Sequence, residues 1–486
     1  MKRHSASEQN DKTETGPKPC NPGSYRFDKD RLVRYQSLSR VTDEELSGLK
    51  FSRNTIKSVL SCGCAHESTL RTFAKELGVS FEDLLDDASR EAYYDRVGYI
   101  AKKADASLDP SVLVEDGKHA MTSRSFAHAR VAEIGRRLKS MADELNVTIA
   151  EANQILWQFY ITSGRYHSAE AIARIMRRTR STPSEKAFAA RALGECHFYT
   201  GKHVRAVALL CSSSIRRLDG GLIDRLGSPL DTRVAAYGHA CLSLAAIGRT
   251  PEAMKVSTKA IEQSRVARSD PSRVFALHCA AVLRVFLRDP DGAAGYADEE
   301  IVTARDAHIP AFVALGRIIR LWADAMRGHP KRLDELFEEF VAYRETPMRV
   351  SLPFWRSLVA EAAHKWGETY LARLQVRDAE TEVERIKDTF YAPCTQLLYG
   401  DVLLEGFDDE VAAATHYRKG AKIARDQGAS LFELRCLLRL LRLARDAKDR
   451  KRIKADMKRS LDDIKGAPPE RAEAREVCRP IPRNPE

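Results

Sequence analysis

The sequence predicts an all-α protein: a small five-helix domain near the N-terminus, followed by an α-solenoid of helical hairpins. Three observations carry that expectation. Residues 52–85, SRNTIKSVLSCGCAHESTLRTFAKELGVSFEDLL, hold two helix starts and a helix stop in the order a compact helical module requires. From about residue 125 to 464, a turn residue followed five positions later by a small side chain recurs with a period near forty. The composition, 43% hydrophobic and 30% charged but only 7% aromatic, suits Ala-, Leu- and Arg-rich helices stacked side by side.

Taken in order, residues 1–25 are polar throughout and read as a disordered leader. Leu32 and Tyr35 belong to a first helix, and Thr42-Asp43-Glu44-Glu45 opens a second, because a hydroxyl three residues before a glutamate is the capping-box spacing. Ser52 caps a third helix and Glu67-Ser68 starts a fourth. Leu70, Phe73, Ala74 and Leu77 form the apolar stripe of that fourth helix, and Gly78 stops it. With Leu84-Leu85 the module closes at residue 87; residues 88–124 read as linking helices broken at Leu108-Asp109-Pro110. The array then spans 125–464, and the Pro-rich, charged segment 465–486 reads as a disordered tail.

The module 26–87 resembles the Cro/repressor-type (XRE-like) helix-turn-helix family. The matching residues are Leu32 and Tyr35, the run Thr42 to Ser47, Phe51-Ser52-Arg53-Asn54-Thr55-Ile56, and Thr69 to Ser80 with Leu84-Leu85. The resemblance implies that the third helix enters the DNA major groove N-terminus first, where Arg53, Asn54 and Thr55 read base edges. Lys50, Ser52 and Lys57 would meet phosphates, helped by the helix-terminal amides. The acid-free window between Leu46 and His66 favours such contact, although the whole module is near neutral, with 10 basic and 11 acidic side chains.

In the repeated region the pairs are Gly164/Ala169, Gly201/Ala206, Gly248/Ala253 and Gly367/Ala372, with degraded copies at Asp289/Ala294, Gly328/Leu333 and Asp408/Ala413. Glycine permits the turn between two antiparallel helices, and a small residue early in the second helix lets them approach. These segments resemble tetratricopeptide repeats with lengthened loops, which implies seven or eight hairpins wound into a solenoid with a concave binding groove. Residues of the first helices would line it, making His197, Tyr237, His278, Arg317 and Arg320 the groove candidates.

Several chemistries find no support. Gly194 to Lys202 has its glycines seven apart and no hydroxyl after the lysine, so it is not a nucleotide-binding loop. Cys62, Cys64 and His66 lie close, but no second cysteine pair completes a tetrahedral site, so no metal and no cofactor are expected. No nucleophile stands at readable spacing from a base, and no enzyme activity is expected. Apolar runs are too short to span a membrane, residues 1–19 lack a secretion-signal core, and the ten cysteines are scattered among apolar helices; these point to a cytoplasmic protein with reduced thiols. The net charge of +11 is concentrated in residues 122–217, with 16 basic against 7 acidic side chains.

The functional expectation is a transcription regulator that binds double-stranded DNA, forms a homodimer, and has its DNA affinity modulated by a peptide or protein effector in the array. The alternative is a non-enzymatic adaptor that uses both domains for protein-protein interaction. It is favoured by a second helix-to-turn segment one residue short and by Asp43 where a phosphate-binding glutamine is common.

Overall fold

The computed structural model describes residues 24–26, 64–76, 150–179, 182–218, 230–466 and 468–478, with isolated positions at 84, 85, 89, 131 and 133–137. The chain divides into two compact units, Met1–Val97 and Gly98–Glu486.

In the first unit, β1 (Ser24–Arg26) pairs antiparallel with β2 (Cys64–His66), and helix α1 (Glu67–Glu76) follows directly. Helix α1 starts at the expected residue and buries Leu70 and Phe73; Leu84 and Leu85 are also buried. The ladder corrects two expectations: residues 24 and 25 are paired rather than part of a disordered leader, and Cys64 to His66 form a strand rather than a loop. Three-residue strands are too short for a period-two alternation to reveal them. The expected second and third helices, and with them Lys50, Ser52, Arg53, Asn54, Thr55 and Lys57, lie outside the described residues.

The second unit contains eight consecutive helical hairpins and a closing helix among its described residues. The hairpins pair α2 (Ala150–Thr162) with α3 (Tyr166–Arg178), and α4 (Pro183–Tyr199) with α5 (His203–Leu210) and the short α6 (Ser213–Arg216). Next come α7 (Thr232–Ala246) with α8 (Thr250–Ala267), α9 (Asp270–Phe286) with α10 (Pro290–Asp306), and α11 (Pro310–Met326) with α12 (Leu333–Glu345). The last three are α13 (Leu352–Lys365) with α14 (Thr369–Ile386), α15 (Ala392–Phe407) with α16 (Glu410–Gln427), and α17 (Ser430–Leu443) with α18 (Ala447–Asp463). Helix α19 (Pro469–Cys478) closes the array.

The turn residues adopt the left-handed backbone that the Gly/Ala pattern implies, at Gly164, Gly201, Gly248, Gly328, Gly367 and Asp408. In the fourth hairpin that residue is Arg288, with φ of 59°, while Asp289 instead caps α10 by accepting from the Gly292 amide at 2.9 Å. Five residues after six of these turns, Ala169, Ala206, Ala253, Ala293, Ala372 and Ala413 are fully buried where the two helices meet, whereas Leu333, five after Gly328, is only half-buried. Helix α4 shows how local sequence starts such an element: Thr182 and Glu185 exchange side-chain-to-backbone hydrogen bonds across the first turn, ahead of Pro183 at the first helical position.

The segment 465–486, expected as a disordered tail, is corrected in part. Its residues Pro469–Cys478 form α19, which buries Ala474 and ties Glu470 to Arg435 at 2.7 Å. Charge and proline content concealed a short helix whose single apolar face is completed only by α17 and α18.

Candidate functional site

Packed helices within a repeat array bring consecutive first helices side by side, and here the array winds tightly enough for later hairpins to return under the first ones. The seam is explicit. Arg349 donates its amide to the Thr162 carbonyl at 2.8 Å, and the amides of Thr389 and Phe390 both donate to the Tyr199 carbonyl at 2.8 and 3.2 Å. The Tyr166 hydroxyl donates to Asp388 Oδ2 at 2.6 Å, and the Ser351 amide donates to the same oxygen at 3.0 Å. Lower down, Lys465 donates to the Gly248 carbonyl at 2.7 Å.

Beside this seam the winding forms a half-open cavity of about 660 Å³. Four consecutive hairpins each place a polar group in its lining: Gln158 on α2, the Arg191–Glu195 pair on α4, His239 on α7 and His278 on α9. Apolar side chains adjoin them, among them Phe312 and Leu315 of α11, Met348 and Val350 of the loop before α13, and Phe354, Trp355 and Phe390; the His278 ring lies 5.0 Å from Phe312 and 5.3 Å from Trp355.

The polar groups of the lining are internally satisfied. Arg191 Nε donates to Glu195 Oε1 at 2.6 Å with both side chains almost wholly buried, and the guanidinium lies 5.5 Å from the Trp157 ring and 5.3 Å from Phe188. His239 Nδ1 lies 3.0 Å from the Ala235 carbonyl, which can only accept, so Nδ1 carries the proton and Nε2 accepts from the Tyr199 hydroxyl at 3.0 Å. Burial holds the His239 pKa below the usual imidazole value, which keeps this neutral form. His278 Nδ1 bonds Glu300 at 2.7 Å, and burial raises the Glu300 carboxyl above the usual range. Cys279 also lines the cavity; burial pushes its thiol well above the normal range, so it is no thiolate. The lining thus holds a neutral imidazole at His239, a paired cation at Arg191 and a protonated thiol at Cys279.

Of the five groove candidates, only His278 lines the cavity. His197 faces Glu170 of α3 at 3.6 Å, Tyr237 is half-buried outside the cavity lining, Arg317 pairs with Glu339 of α12, and Arg320 pairs with Asp298 and Asp324. The reason is helical phase. Cavity residues on α9 are Phe275, His278, Cys279 and Val282, a stripe at three- and four-residue spacing, whereas His197 and Tyr237 stand two positions, about 200°, from the lining residues Glu195 and His239. Sequence reasoning missed Arg191, Glu195 and His239. The available signal was a charged pair four residues apart inside the small, apolar run AFAARALGECHFY.

The array is built of tetratricopeptide-like hairpins. No protein-family model matches the chain, and no curated protein matches it in sequence. Among solved structures, a Rap protein complexed with competence and sporulation factor is similar at a TM-score of 0.45 and 10% identity, over 70% of this chain and 93% of that one. A human IFIT1 dimer with m7Gppp-AAAA is similar at a TM-score of 0.33 and 14% identity, over 89% of each chain. Likeness at these scores carries no weight for function, and the repeat architecture rests on the chain's own hairpins.

Among the described residues, no three His, Cys, Asp or Glu side chains gather as a metal-ligating group, and no helix is long and apolar enough to cross a membrane. Of the expected Cys62, Cys64 and His66 cluster, Cys62 lies outside the described residues, and His66 Nδ1 is engaged with the Ser68 hydroxyl at 3.0 Å.

Proposed function

We propose that this protein is a ligand-responsive, DNA-binding regulator whose repeat array takes a short peptide with apolar side chains into its interior cavity. The single observation that carries the receptor half is the half-open cavity of about 660 Å³ lined by both apolar and polar side chains, a size within the usual range for ligand sites. Neighbouring helices pack about 8–10 Å apart, so polar groups on consecutive first helices fall opposite every third residue of an extended chain rising about 3.3 Å per residue. A peptide so placed turns backbone polar groups to Gln158 and His278, and side chains to Phe312, Phe354 and Trp355. The DNA-reading half rests on the sequence resemblance of residues 26–87, with Lys50, Ser52, Arg53, Asn54, Thr55 and Lys57 as the contact set.

Thermal-shift screening of the full chain against a library of short apolar peptides tests the receptor half. Binders are expected, and Phe312→Glu, which places a carboxylate among the apolar lining side chains, weakens them at least about ten-fold. A library with no binder, or binders indifferent to Phe312→Glu, refutes it. Mobility shifts of promoter DNA across a salt series, with and without peptide, test the output: binding lost in Arg53→Ala/Asn54→Ala supports regulation. Peptide binding with no DNA binding at any salt concentration leaves the adaptor reading in its place.

A further inference from the structure

We infer that the outer groove between α16 and α18, floored by α17, docks an acidic amphipathic helix of a partner protein. This is independent of the cavity. The groove encloses about 490 Å³ over a floor of Leu437, Leu440 and Leu443, with Ile453 at its side. Ala414, Arg418, Ala421, Lys422 and Arg425 follow one another along a single face of α16, so the groove runs about 16 Å, the length of a three-turn helix.

Beyond the groove, at the α15–α16 turn, lies a separate and mainly polar hollow lined by Phe407, Asp408, Asp409, Glu410, Val411 and Arg445, which shares only Arg445 with the groove. Tyr370 is 81% and Val411 80% exposed, the highest values among exposed large apolar side chains. Tyr370 packs edge-on against Phe407 at 5.2 Å, and Arg373 stacks 4.7 Å from the Phe407 ring. The groove itself offers the apolar strip of Leu437, Leu440 and Leu443, with Ala414, Ala421 and Ala444 beside it, to the apolar face of a helix.

Charge selects the partner. The α16 rim presents Arg418 and Lys422, exposed and without an ion pair among the described residues. On the opposite rim the carboxylates are already committed: Asp446 caps α18 by accepting from the Asp449 amide at 3.0 Å, and Asp456 pairs with Arg425 at 2.9 Å and with Arg459 at 2.5 Å. The surplus is positive on the α16 side, so a helix with its acidic flank toward α16 meets complementary charge.

The test uses the full chain and two fluorescein-labelled peptides of about 18 residues, with Leu at helical spacing and either Glu or Lys along one flank, read by fluorescence anisotropy. The Glu peptide binds and the Lys peptide does not. Arg418→Glu/Lys422→Glu weakens the Glu peptide at least about ten-fold and confers binding on the Lys peptide, a gain that a misfolded variant cannot produce. Leu443→Asp, at the half-buried end of the floor, weakens the Glu peptide. Equal binding of both peptides, no binding of either up to about 1 mM, or a self-associated wild type that Leu443→Asp alone dissociates overturns the inference; the last assigns the groove to a second copy.

Discussion

Asp388 is the sharpest point of leverage on the cavity, because it holds the seam together and is itself badly placed for a charge. Its Oδ2 accepts from the Tyr166 hydroxyl and the Ser351 amide, joining the first hairpin to the loop before α13, while Oδ1 is buried with no partner. Burial outweighs those two hydrogen bonds and raises its pKa from 3.8 to about 7. The folded state therefore retains a proton that the unfolded or opened state releases. Stability from this group is complete below about pH 4 and is lost as pH rises toward and through 7. Across the whole shift of about three units the loss is roughly 4 kcal/mol, of which about 2.5 kcal/mol falls between pH 5 and pH 8. Asp388→Asn keeps an acceptor for both donors and removes the ionisation.

Because repeat arrays open in parts, hydrogen exchange at the Ser351 and Thr389 amides is the appropriate readout. Between pH 5 and pH 8, after correction for intrinsic exchange, opening of the wild-type seam gains on that of Asp388→Asn by about 2.5 kcal/mol, close to seventy-fold in rate. Parallel pH profiles in the two proteins would refute the reasoning, since the slope would then come from some other group.

Three further outcomes follow from the same physics. Gly201→Ala costs about 2–3 kcal/mol and Gly328→Ala only about 1, because both glycines are left-handed but a Cβ at 201 would lie 2.7 Å from Gln427 Cδ, whereas one at 328 meets nothing within 4 Å; equal losses in denaturant unfolding would contradict this. Arg191→Met leaves Glu195 buried beside the cavity and destabilises by about 3–5 kcal/mol, while Arg191→Met/Glu195→Leu recovers most of that loss in melting temperature; a double variant as unstable as the single one would count against the pairing. Thr182→Ala removes the α4 capping box at a cost of about 1 kcal/mol, seen as faster exchange of the Glu185 amide with the rest of the array unchanged.

Much of the array was legible before any coordinates, because its signals are local. A left-handed turn residue, a small residue five positions on and 3.6-residue periodicity each act within one hairpin, so Gly164, Gly201, Gly248 and their partners at Ala169, Ala206 and Ala253 disclosed the repeat and its count. The strand pair at Ser24–Arg26 and Cys64–His66 and the helix Pro469–Cys478 escaped because each is too short to carry a period of its own.

The binding face was not legible for a different reason. The first helices are packed on nearly every side: every residue of α4 from Ala187 to Tyr199 is buried, so His197 and Glu195 look alike in the sequence although only Glu195 reaches the cavity. Which stripe turns inward depends on a small rotation added at each hairpin and summed around the winding. That sum brings Thr162 to Arg349, Tyr199 to Phe390 and Tyr166 to Asp388 across more than 180 residues. Residue pattern thus decides the hairpin, since its forces act over a few residues, whereas the cavity exists only because the accumulated rotation closes the seam.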